Sequence, residues 1–187
     1  TVWVQYSGVL VMGAMSLAML LAVRPVWLER HLDGLDKMYR LHKWLGIAAL
    51  AIGTVHWLWA KGTKWAVGWG WLTRPQRGGG TPPALTGPEG LLRSRRGTAE
   101  GEGEWAFYAA VLLIVLALVK RFPYRLFAKT HQLLAVAYLA LVFHTVVLVQ
   151  WSYWSQPIGW LLALLVAGGT VSAVLVLTRR VGGRRTV

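Results

Sequence analysis

Four of the five histidines sit in two apolar stretches, His42 and His56 fourteen residues apart and His131 and His144 thirteen apart. On a helix that rises about 1.5 Å and turns about 100° per residue, His42 and His56 stand ~21 Å apart along the axis and about 40° from alignment, and His131 and His144 stand ~20 Å apart. Neither pair can share one metal ion. Ionisable side chains are costly inside a membrane span and mark function there. The chain has no cysteine, which excludes thiolate clusters and disulfides, so redox chemistry needs a bound cofactor. If the two stretches are parallel helices, His42 meets His131 at one end and His56 meets His144 at the other, giving two bis-imidazole sites stacked one above the other. The cofactor that suits such sites is haem b, whose iron takes two axial imidazoles while its flat apolar ring fills the space between helices. Two are expected.

The neighbouring residues fit this reading but also have plainer explanations. Gly46, Ala49 and Gly53 follow His42 at offsets of 4, 7 and 11, a small-residue face that leaves room for a porphyrin plate or simply lets two helices approach closely. Arg40 and Lys43 flank His42, and Arg125 and Lys129 precede His131; they are candidate propionate partners at the inner site, or signals of topology. A thirteen-residue step rotates His144 by ~140° from His131 on an ideal helix. That helix must bend, or the two haems must be rotated relative to each other. Tyr138, midway between the pair, is placed either between the haems or in ordinary packing. A proton relay through the histidines would need polar residues between them, and the Gly46, Ala49, Gly53 face offers none. His31 reads as solvated.

The elements that position these residues follow from composition. Hydrophobic residues make up 56% of the 187 and charged residues 14%, the latter about half the usual soluble share of about 25%. The net charge of +13 is clustered between long apolar runs, so it reads as topology and headgroup contact with membrane lipids and not as a nucleic-acid footprint. The run from Thr130 to Thr178 carries no Asp, Glu, Lys or Arg. A bilayer core of ~30 Å takes about 20 helical residues, so this run is two spans, broken at "QWSYWSQPIGW". The expected fold is an all-α polytopic membrane bundle with five spans, at about 4–23, 41–60, 104–121, 129–150 and 157–178, and a sixth ahead of Thr1 in the full protein. The bases at 24–43, 120–129 and 179–185 place those segments and the C-terminus in the cytoplasm. The Gly/Pro-rich stretch 61–104, centred on "RPQRGGGTPP", is expected as an external loop. Trp57, Trp59, Trp65, Trp69, Trp71, Trp151 and Trp154 are expected as an interfacial belt.

The segments "LHKWLGIAALAIGTVH" and "YRLFAKTHQLLAVAYLALVFH" resemble the transmembrane domain of the NADPH oxidase and ferric reductase family, in which two haems hang between the third and fifth helices with the same spacings of fourteen and thirteen. The resemblance covers essentially the whole chain. It implies electrons arriving from NAD(P)H through FAD on a cytoplasmic dehydrogenase domain, expected after residue 187 or on a separate chain. They then pass by the His42/His131 haem to the His56/His144 haem and leave on the outer face. Superoxide-producing members carry a further histidine one turn beyond the outer ligand and an arginine near the outer end of the second helix. Here those places hold Ala60 and, by ungapped alignment from Arg24, Gln5. The resemblance therefore points to a bacterial ferric-reductase-like protein of the inner membrane, with ferric iron or another one-electron acceptor; a superoxide-generating oxidase core is the alternative. A second alternative is the haem-bearing subunit of a periplasmic sulfoxide reductase system, which commonly lacks the histidine at the place of His42.

Overall fold

A computed structural model describes residues 2–73, 87–119, 121 and 123–178, and among them every regular element is a helix. In chain order these are α1 (Val2–Ala22), a short α2 (Val26–His31), α3 (Leu35–Gly68), a short α4 (Pro88–Ser94), α5 (Arg96–Leu118), α6 (Tyr124–Leu148), a 3₁₀ turn (Trp151–Ser155) and α7 (Pro157–Leu177). Proline sets two of the starts. Pro123 precedes the first turn of α6 and Pro157 occupies the first position of α7, where a missing N–H costs nothing and the fixed φ already suits a helix.

Four helices, α1, α5, α6 and α7, are long and apolar enough to cross a bilayer, which makes this a multi-pass membrane protein. The expected fifth, α3, is longer than the 41–60 expected, at 34 residues, but it is not among those four. Its apolar middle is diluted by His56 and by Lys43 and Lys61 at its edges.

The stretch 61–104 is not the open loop expected. The third helix continues to Gly68, α4 covers Pro88–Ser94, and α5 begins at Arg96, eight residues ahead of the expected 104. Ion pairs stabilise these extensions: Arg96 to Glu100 within one helix at 3.2 Å, and Lys64 to Glu100 and Lys61 to Glu104 across helices at 3.3 and 2.6 Å. The "RPQRGGGTPP" centre and the basic cluster after Thr178 lie outside the described residues.

In the packing α1 is central, lying along α3 on one side and α7 on the other and also touching α6, while α5 packs along α6. Between α3 and α6 there is no extended contact. The apolar core lies on the α1, α6, α7 side and includes Met12, Met19, Ala135, Tyr138, Leu162 and Val166. Glutamines satisfy carbonyls that two helix ends leave unpaired. Gln5 Nε2 donates to the Leu148 carbonyl at 3.1 Å, and Gln132 Nε2 donates to that of Val176 at 3.0 Å.

Tyr138 belongs to this core and does not stand between the histidine pairs. It is fully buried, its Oη lies 2.9 Å from Ser16 Oγ and donates to the Val166 carbonyl at 3.4 Å, and a Cβ at Gly169 would strike the phenol. Replacing Tyr138 with Phe leaves the Ser16 hydroxyl without its partner in a dry interface, and should cost about 1 kcal/mol. Denaturation of the detergent-solubilised chain by sodium dodecyl sulfate measures this.

Candidate functional site

The two histidine-bearing helices are held apart by their neighbours, and the histidines lie between them. At one end the rings of His42 and His131 have centroids 5.8 Å apart and planes at 65°. At the other, His56 and His144 line one cavity of ≈ 490 Å³ enclosed by α1, α3, α5 and α6. The early histidine of each helix meets the other and the late ones share a cavity, so α3 and α6 run parallel.

Three of the four rings are held from behind. Nδ1 of His42 lies 2.9 Å from the Ala18 carbonyl and Nδ1 of His144 lies 2.8 Å from the Ala99 carbonyl. A carbonyl oxygen only accepts, so in each ring Nδ1 carries the proton and donates it, leaving Nε2 with a free lone pair. Nδ1 of His56 stands 3.0 Å from Ser7 Oγ. His131 differs: its ring stacks on Phe127, centroids 5.0 Å apart, and its Nδ1 is buried with no hydrogen-bond partner among the described residues.

The bond from His144 depends on a glycine. A helical side chain leans toward the N-terminus and covers the preceding turn, so a side chain at 103 would lie over the carbonyl of Ala99. Gly103 leaves that carbonyl open, and a Cβ built there would overlap the His144 ring.

Of the small-residue face, Ala49 and Gly53 are buried and line the cavity. A Cβ at Gly53 would also meet Phe107 at 3.6 Å, so that residue serves helix packing too, whereas Gly46 has no heavy atom within 4 Å of its Cβ position. The four candidate propionate partners are exposed. Arg40 is paired with Asp36 at 3.0 Å, and Lys43, Arg125 and Lys129 are exposed and make no ion pair among the described residues. His31 is exposed and bonds the Trp27 carbonyl. Among the tryptophans, Trp59, Trp65, Trp69, Trp71 and Trp151 are exposed as a belt requires. Trp57 departs from the belt, lining the cavity, stacked on Phe107 at 5.8 Å with its Nε1 buried and without a hydrogen-bond partner among the described residues.

Sequence reasoning missed the charged end of the cavity. Lys61, Lys64, Arg96, Glu100 and Glu104 line it, and Tyr108 donates to Glu104 at 2.6 Å. Lys61 and Lys64 three apart, facing Glu100 and Glu104 four apart, is a spacing from which two paired helices can be read. Gln5 and Ala60 line the same cavity.

An imidazole whose Nδ1 donates to a carbonyl keeps its Nε2 lone pair for a borderline transition metal. No curated protein matches the chain. A family described as ferric reductase like transmembrane component matches residues 7–142, a stretch that takes in His42, His56 and His131 and stops just short of His144. The chain belongs to that family.

Proposed function

We propose that the chain is a transmembrane electron conduit in which His42 with His131 and His56 with His144 each hold one haem b, and in which α3 is the fifth membrane span. Family membership supports oxidoreductase activity and electron transfer across a membrane. The observation that carries the finer reading is the pairing of the four rings at opposite ends of two parallel helices, with Nδ1 of His42, His56 and His144 occupied from behind. Such outer partners orient an imidazole and raise its basicity as a ligand. The His42 and His131 rings stand 5.8 Å apart, close enough that one metal centre would be within reach of both.

Haem iron, when bound, exchanges one electron between its ferric and ferrous forms. The protein's own contribution is the imidazoles: His42 with His131, and His56 with His144, would hold the two groups. Ala49 and Gly53 leave space on α3. Electrons are proposed to enter from a cytoplasmic NAD(P)H/FAD dehydrogenase domain near the His42 end. They leave at the His56 end, in a bacterial inner membrane with the C-terminus cytoplasmic. The acceptor is proposed to be ferric iron or another one-electron acceptor. Gln5 at the cavity is engaged by Leu148 and Gln150, and Ala60 supplies no polar group, so neither residue offers a charged or titratable partner to bound oxygen.

Haem quantitation with reduced-minus-oxidised spectra on the purified chain tests the central claim. Two b-type haems per chain are expected; one or none overturns it. On the full-length protein, ferric chelate reduction in excess of superoxide output is expected, and the reverse ratio would assign the oxidase function instead.

A further inference from the structure

Resting on the haem reading, we infer that Ser7 is a positioning residue for the outer pair: its hydroxyl fixes the tautomer and donor strength of His56 and so tunes that haem apart from the other.

The hydroxyl has one proton and two lone pairs. It lies 2.7 Å from the Trp3 carbonyl, one turn back on its own helix, 3.2 Å from the Val4 carbonyl, and 3.0 Å from His56 Nδ1. Both carbonyls can only accept, so the proton goes to them, chiefly to the nearer Trp3 oxygen. What remains for His56 is a lone pair, which makes Nδ1 the protonated nitrogen and turns Nε2 into the cavity as the ligating atom. Gly8 completes the seat: a Cβ there would come 3.3 Å from His56 Cε1, tighter than ordinary packing, so the Nδ1–Cε1 edge of the ring rests on α1 at residues 7 and 8. One turn earlier Gln5 spans the end of α6, accepting from the Gln150 N–H at 3.2 Å and donating to the Leu148 carbonyl. The first turns of α1 thus index His56 on α3 and the end of α6, just beyond His144, to one another.

The other supported rings lean on backbone carbonyls, Ala18 for His42 and Ala99 for His144, which no side-chain replacement can remove. A hydroxyl that is itself donating elsewhere becomes a better acceptor, since hydrogen bonds in a chain polarise one another. Donation from Nδ1–H to that oxygen raises the imidazole's donor power at Nε2, which favours the ferric state and lowers the potential.

The test is redox titration and low-spin ferric EPR of the purified full chain carrying Ser7→Ala or Ser7→Thr, with His56→Ala used to assign the outer haem. For Ser7→Ala we expect two haems retained, an upward shift of the outer midpoint potential with a changed outer EPR signal, and an unmoved inner haem. Ser7→Thr should restore both outer values. Loss of the outer haem in Ser7→Ala with retention in Ser7→Thr supports the same role. Unmoved potentials in Ser7→Ala, an equal shift of both haems, or a Ser7→Thr variant that behaves like Ser7→Ala overturns the inference while leaving the haem reading intact. A wild-type chain without haem overturns that reading first, and the inference with it.

Discussion

Replacing His56 with Ala should remove one haem and leave the other spectroscopically unchanged, and His144→Ala should give the same product. The two sites are ~21 Å apart along α3, and their supports come from different places: Ala18, late in α1, for His42, and Ser7, early in α1, with Ala99 on α5 for the second pair. Nothing in one seat is shared with the other. His42→Ala and His131→Ala should form a second matching set, losing the other haem. Because each haem needs both imidazoles, half of the haem content should go in every single variant, and electron transfer across reconstituted vesicles should be abolished in all four. Difference spectra sort the variants. If His56→Ala resembled His131→Ala instead of His144→Ala, the assigned pairing would be wrong.

The second large effect should come from a residue that bears no functional group. Gly103→Val puts atoms into the volume of the His144 ring and covers the Ala99 carbonyl that the ring uses. Overpacking of this kind costs about 1–3 kcal/mol, and losing the partner behind a metal-ligating histidine lowers affinity on the order of 10- to 100-fold. The outer haem should therefore be lost on dilution or detergent washing while the inner one stays. Gly97 provides a control on the same helix, since a Cβ there has no heavy atom within 4 Å. Gly97→Ala should retain both haems and gain up to about 1 kcal/mol from helix propensity. Loss of haem in that variant as well would mean that glycine flexibility along α5, and not clearance for His144, is what matters.

Much of this site could be read before any fold was known, because the information lies within single helices. The spacings of fourteen and thirteen, the uncharged runs and the prolines at 123 and 157 are local, and helical periodicity converts them into faces and lengths. The parallel course of α3 and α6 also followed, since basic segments precede both and one span separates them. The ends of the helices were harder to read. The stretch 61–104 looked like loop because glycine, proline and charge dominate it, yet Lys61 and Lys64 find Glu104 and Glu100 on another helix, a pairing that no window on one segment reveals.

What sequence alone determined was the inventory and its vertical order: four imidazoles at two depths, without sulfur, in an apolar bundle. Tertiary structure decided what stands behind each ring. The Ala18 carbonyl, the Ser7 hydroxyl and the Ala99 carbonyl exposed by Gly103 come from helices distant in the chain, and a backbone acceptor has no residue type to announce it. The same holds for Tyr138, whose mid-span position is compatible with either side of α6. Only the placement of Ser16 and Gly169 against it turned it into the α1, α6, α7 core. The physical reason is that periodicity fixes where a side chain leaves its own helix, whereas its partner is fixed by how the other helices pack around it.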